Sequence, residues 1–192
     1  MKDTSVGSNA RPALMLLALL LVGALMAWAP RASAASAAEI SRDSTQALQQ
    51  LYAREPHARQ LGEKAVAILV FPDIVKAGLL VGGQTGSGAL IKGGRVQAYY
   101  DLSAVSFGLQ AGAQTFSYAL FFMNEEALRY LDRSDGWAVG AGPSVVVVDK
   151  AAAASTTSTT LTQDVYAVPF GQKGLMAGIG LEGSKITRIH PK

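Results

Sequence analysis

Between Leu69 and Gly88 the chain reads LVFPDIVKAGLLVGGQTGSG, and this stretch restricts the fold more than any other. Val66 to Phe71 is a β-branched and aromatic run that stops at Pro72, because proline removes a ladder donor and restricts the residue before it. A first strand is expected to end there. Ala77 to Gly83 reads as a second strand whose small residues admit a neighbouring backbone, and Gly86 and Gly88 are expected to supply positive φ for a tight reversal into Ala89 to Lys92. No catalytic motif lies in the stretch. It specifies a tightly packed, glycine-pierced sheet, and the functional question is what such a sheet presents at its rim.

The flanking segments extend this pattern. Ile40, Ala47, Leu48, Leu51 and Tyr52 recur at three-four spacing, which predicts a helix over Glu39 to Leu61 that Pro56 breaks or kinks, leaving a short second helix closing near Gly62. Lys92-Gly93-Gly94-Arg95 is a hairpin turn, since paired glycines tolerate the φ > 0 positions of a primed turn. Val105 to Ala113 alternates with period two as a half-buried strand, and Phe116 to Met123 reads as another. Asn124-Glu125-Glu126 opens a helix with an N-cap and an acidic first turn, running to Ser134. Strands are expected within Trp137 to Gly142 and at Ser144 to Val148, the latter deeply buried because it is so β-branched. Lys150 to Thr162 is either an exposed edge strand or a mobile loop. Val165 to Phe170, Gly174 to Leu181 and Lys185 to Ile189 close the chain as three strands separated by turns. The class is α+β, predominantly antiparallel: a curved or barrel-like glycine-rich sheet with N-terminal helices and one internal helix.

With 192 residues, 49% hydrophobic content and 20 glycines, one domain with a sizeable core is expected. The amino end stands apart from it. Lys2 and Arg11 precede an apolar run from Ala13 to Ala29, followed by Pro30 and Ala32-Ser33-Ala34, the order of a secretory signal. Cleavage is expected after Ala34, with Ala37 and retention as a membrane anchor as alternatives. No cysteine is present, which excludes disulfides, thiol chemistry and a lipid-modified cysteine. Export of such a chain fits a bacterial periplasm. Removing residues 1–34 takes away Lys2, Arg11, Arg31 and Asp3 and lowers the formal charge from +3 to about +1. Nucleic acid is therefore not an expected partner.

Tests for chemistry give nothing positive. His57 and His190 stand alone, so neither a metal site nor a nucleophile with its base is indicated, and no cofactor is expected. Gly142-Pro143-Ser144 is not a nucleophile elbow, and Gly82 to Gly88 lacks the Lys-Ser/Thr pair of a phosphate loop. The chain is not expected to be an enzyme. What remains is a set of cations at turns and strand ends: Lys76, Lys92, Arg95, Lys173, Lys185 and Arg188. Converging at one rim beside Phe71, Leu79 or Met176, they would form a lipid-binding site for an anionic headgroup with apolar contact below it.

The blocks FPDIVKAGLLVGGQTGSGAL, GLQAGAQ, ALFFMNEEALRYL, DGWAVGAGPSVVVV and DVYAVPFGQKGLMAGIGLEGSKI together resemble the bacterial branch of the SYLF domain family, from about Gly62 to Ile189. The resemblance implies a β-rich lipid-binding domain; eukaryotic relatives bind phosphoinositides, and the yeast members also bind actin. It divides the chain into a signal peptide at 1–34, a helical segment at 35–61 and a SYLF-like domain at 62–192. The expected function is non-catalytic, peripheral attachment of a periplasmic protein to an anionic phospholipid surface. Actin binding is not expected in a bacterial periplasm. The alternative is an envelope scaffolding module with a protein partner, whose mark would be an uncovered apolar patch or a free strand edge in place of a basic rim. An integral outer-membrane barrel is disfavoured by the short strands and interrupting helices.

Overall fold

A computed structural model describes residues 35–133, 135–148, 161–174, 181 and 183–192, apart from the side chains of residues 79, 80 and 106–111. The expected signal peptide, most of Lys150 to Thr162 and most of the strand at Gly174 to Leu181 lie outside the described residues. Ala35–Lys192 form one compact unit. Helix α1 spans Ala37–Arg54 and α2 spans Pro56–Lys64. Strands β1 (Ala67–Lys92) and β2 (Arg95–Phe122) follow, then a short helix α3 (Glu125–Arg129) continued by a 3₁₀ turn at Tyr130–Asp132. Strands β3 (Trp137–Ala138), β4 (Val145–Val147), β5 (Val165–Gly174) and β6 (Lys185–Ile189) complete the described elements.

The local causes are visible in the sequence. Ser36 caps α1 reciprocally: its hydroxyl accepts the Glu39 N–H, and the Glu39 carboxylate accepts the Ser36 N–H at 2.8 Å. That hydrogen bond from Ser36 also lowers the Glu39 pKa. Pro56 sits at the first position of α2, where its missing N–H costs nothing, so it separates the two helices as expected. Asn124 caps α3 by accepting the Ala127 N–H at 2.8 Å. Gly93 and Gly94, with φ of 58° and 74°, form the β1–β2 turn.

Four expectations need correction. Pro72 does not end a strand: β1 runs through it, absorbing the missing donor as a register shift between Phe71 and Ile74. Gly86 and Gly88 do not reverse the chain, and neither has positive φ. They instead let β1 approach itself. A Cβ on Gly88 would collide with the Val70 carbonyl and the Phe71 ring, and one on Gly86 would lie 2.6 Å from the Asp73 carbonyl. Ser144 to Val148 is not deeply buried, since β4 lies parallel at the sheet end beside β5 and leaves Val146 and Val147 exposed. The expected turn at Gly171-Gln172-Lys173 is part of β5.

The two long strands pair antiparallel from Ala67↔Phe122 to Lys92↔Arg95. The sheet is a strongly curled, mostly antiparallel half-barrel, in which the far half of β2 pairs with β5 and the near half with β6. Its inner face gathers Phe71, Ile74, Leu90, Leu102, Tyr118 and Trp137 into one core. The outer face carries Ile68, Val70, Ala119, Phe121 and Ile91 beneath the apolar stripes of α1 and α2. Ser44 of α1 is fully buried and donates its hydroxyl to the Val70 carbonyl at 3.1 Å.

Candidate functional site

Cross-strand partners point to the same side of a sheet, so the register assigns each candidate residue a face. After the shift at Phe71/Ile74, even-numbered β1 residues face the inner core and odd-numbered ones face outward. The outward rows of the middle of the hairpin include Val75–Thr115, Ala77–Ala113, Gly83–Val105 and Thr85–Ser103, and Val81 lies on the same face. No described element covers this part of the outer face. Val75 is 46% exposed, Val81 56% and Val105 68%, and Ala77 and Ala113 are exposed beside them.

The ends of this apolar strip carry lysines. Thr115 pairs onward with Lys173 of β5, and Ser103 pairs onward with Lys185 of β6, so the two cations lie on the outer face at opposite ends of the strip. Both are exposed, and among the described residues neither is engaged in an ion pair. Among the described residues, the arrangement is an uncovered apolar face with one cation at each end.

The other expected site residues lie elsewhere. Lys76 pairs with Gln114 on the inner face and is half-buried. Lys92 and Arg95 sit together at the hairpin end, where Lys92 is bound to Glu125 at 2.7 Å. Arg188 pairs with Tyr100 and binds Asp132 at 3.0 Å. The six cations thus do not form one rim: β6 brings Lys185 and Arg188 close in sequence but to opposite faces, and Lys76 and Lys173 are likewise on opposite faces. Phe71 is a correction. It is fully buried against Tyr118 across the ladder, because the coiling of β1 brings Gly88 onto its ring, and it offers no surface for lipid contact. The Leu79 side chain and Met176 lie outside the described residues.

Val75, Val81 and Val105 were missed as surface residues by the sequence reading. Their signal was available as apolar residues on both parities of one strand, which means that one face lacks polar cover unless something else supplies it. Among the described residues, no group of His, Asp or Glu is arranged to hold a metal ion, and no helix is long and apolar enough to cross a membrane.

Comparison with curated proteins finds no match. A family model described as Ysc84, Las17-binding protein actin regulator, matches residues 103–190. That span starts within β2 and ends just past β6, so it includes α3, Val105, Lys173 and Lys185 but not β1, α1 or α2. Over residues 103–190 the chain is thus similar to the Ysc84, or SYLF, family, in agreement with the resemblance carried by its sequence blocks.

Proposed function

We propose that this chain is a non-catalytic binding module that attaches peripherally to anionic phospholipid through the outer face of the β1–β2 hairpin. The observation that carries the reading is the uncovered strip of Val75, Val81 and Val105 with Lys173 and Lys185 at its ends. Exposed apolar surface of this kind marks membrane or protein contact. Burying each half-exposed valine contributes about 1 kcal/mol, and each lysine at an anionic surface contributes about 1 kcal/mol. The sum gives weak attachment whose electrostatic share is screened by salt and whose apolar share persists. The leader-like order of Ala13 to Ala34 supports a periplasmic setting, in which the anionic leaflet lipid is the partner.

A second reading has an observation of its own. The uncovered apolar face, without a continuous basic rim, is also the surface that an envelope scaffolding module would show to a protein. Co-sedimentation of residues 35–192 with phosphatidylglycerol and phosphatidylcholine vesicles at low and high salt separates the two. The lipid reading expects binding to the anionic vesicles that weakens in salt and falls further in Lys173→Glu with Lys185→Glu. Absence of vesicle binding, together with stoichiometric capture of an envelope protein that Val105→Asp abolishes, replaces it with the scaffold reading.

A further inference from the structure

Between α1 and the sheet runs an open cleft of about 1230 Å³, which meets the surface of the lipid reading only at Thr115 and Lys173. Its helix wall is one stripe of α1, Asp43, Gln46, Gln50 and Arg54, spaced by three and four residues so that the side chains stand in a row. The opposite wall comes from β5 and from the bulge at Pro72, and presents Gln172, Lys173 and Asp73. Between them Pro72, Pro169 and Phe170 supply an apolar surface, with Phe170 and both prolines only half-buried.

The chemistry of this lining restricts the occupant. Arg54 and Lys173 are set against Asp43, Glu55 and Asp73, so the cleft has no excess of positive charge with which to hold a polyanion. Nucleic acid and clustered phosphates are disfavoured on that ground. Gln46, Gln50 and Gln172 are exposed, and among the described residues their carboxamides have no hydrogen-bond partner. Each can donate and accept at once. Neutral groups of that kind, flanked by carboxylates and beside the apolar surface of Pro72, Pro169 and Phe170, match a ligand that carries hydroxyls at its edges and C–H groups on its faces. The volume exceeds the roughly 300–1,000 Å³ of pockets for compact ligands, which indicates an extended chain rather than a single small molecule.

From this geometry we infer that the α1 cleft binds a neutral, extended oligosaccharide. Sugar rings lie on Pro169 and Phe170, and their hydroxyls bridge Gln50 on the helix to Gln172 on β5. Binding is weak, because the walls are solvated before the ligand arrives and hydrogen bonds to water are exchanged for hydrogen bonds to sugar.

The test is titration of the full chain with chitotetraose and cellotetraose, and with a hyaluronan tetrasaccharide as the anionic counterpart, followed by calorimetry and by amide chemical shifts. Saturable binding of at least one neutral oligomer is expected, with a Kd on the order of 1 mM or tighter. Gln50→Ala combined with Gln172→Ala is expected to weaken it by about tenfold while leaving the melting temperature unchanged, since both side chains are exposed and unpartnered. No saturation by either neutral oligomer at about 10 mM overturns the inference, as does unchanged affinity in the double variant or tighter binding of the anionic oligomer. Val81→Asp with Val105→Asp provides the separation from the lipid reading. It is expected to abolish vesicle binding and to leave the oligosaccharide titration unaltered.

Discussion

The same two strands live in two environments. At their outer ends, Ala67–Phe71 and Tyr118–Phe122 are enclosed on both sides, with the inner core below and the α1–α2 layer above, and Leu69, Val70, Phe71, Leu120, Phe121 and Phe122 are all fully buried. In the middle, Gln84 and Gln114 are buried on the inner face, while Val75, Val81 and Val105 on the outer face are exposed. Gln84 illustrates the difference: it is buried inward and donates to the Ser184 hydroxyl at 2.9 Å, while Val105 in the adjacent row is two-thirds exposed. Among the described side chains, Phe71, Phe121 and Phe122 are fully enclosed, whereas Val75, Val81 and Val105 stand exposed. Folding accounts for the first region, and the second is the face that we propose meets a partner.

The contrast is most strongly challenged at Phe71. Phe71→Ala removes a fully buried ring from the enclosed region and should cost about 3–5 kcal/mol in urea unfolding; a loss below about 1 kcal/mol would show that this end is not the core. Gly88→Ala comes next. Its methyl group meets the Val70 carbonyl and the Phe71 ring where β1 coils onto itself, so a loss of about 1–3 kcal/mol is expected.

Asp164 sharpens the comparison through pH. It accepts the Ser144 N–H and hydroxyl at 2.9 Å and the Asn124 amide at 2.8 Å, tying β4, β5 and the cap of α3 together at the enclosed end. The Ser144 N–H is the main reason its pKa is held below the ordinary carboxylate value of 3.8, followed by the Asn124 and Ser144 side-chain hydrogen bonds. A carboxylate depressed in the folded state stabilises above its unfolded pKa, and that contribution disappears as pH falls through the folded value. Asp164→Asn should lower stability at neutral pH by about 1 kcal/mol and make the loss of stability between about pH 5 and 2 shallower. The smallest effect belongs to the open region. Val81→Ser with Val105→Ser should leave the unfolding free energy within about 0.5 kcal/mol of the parent; a loss of several kcal/mol would mean that the strip is enclosed after all.

Much of the fold was legible in the chain. Pro56 between two apolar stripes, the Gly93-Gly94 turn, Asn124 as a cap and the strand character of the flanking runs all follow from local backbone chemistry. What was not legible depends on long-range coiling. Pro72 looks like a strand end when only its missing N–H is considered, but a register shift carries β1 past it. Gly86 and Gly88 look like turn residues, because local rules cannot show that Val70 and Asp73, about fifteen residues earlier, come into contact with them. The candidate site failed in the same way. Lysines and arginines mark strand ends in a sequence, but only the register shows that Lys173 and Lys185 share a face and that Lys76 and Arg188 do not share it. The exposed valines were hidden because β-branched residues are read as buried unless a covering layer is known to be missing.

The most direct measurement uses the absence of cysteine, which lets one introduced thiol carry an environment-sensitive fluorophore without competition. Residues 35–192 labelled at Val105→Cys, and separately at Gln60→Cys on the exposed side of α2, are mixed with phosphatidylglycerol vesicles. The account predicts a blue-shifted, brighter emission from position 105 and an unchanged emission from position 60. Vesicle-bound protein whose label at 105 keeps its aqueous emission, or equal shifts at both positions, would contradict it.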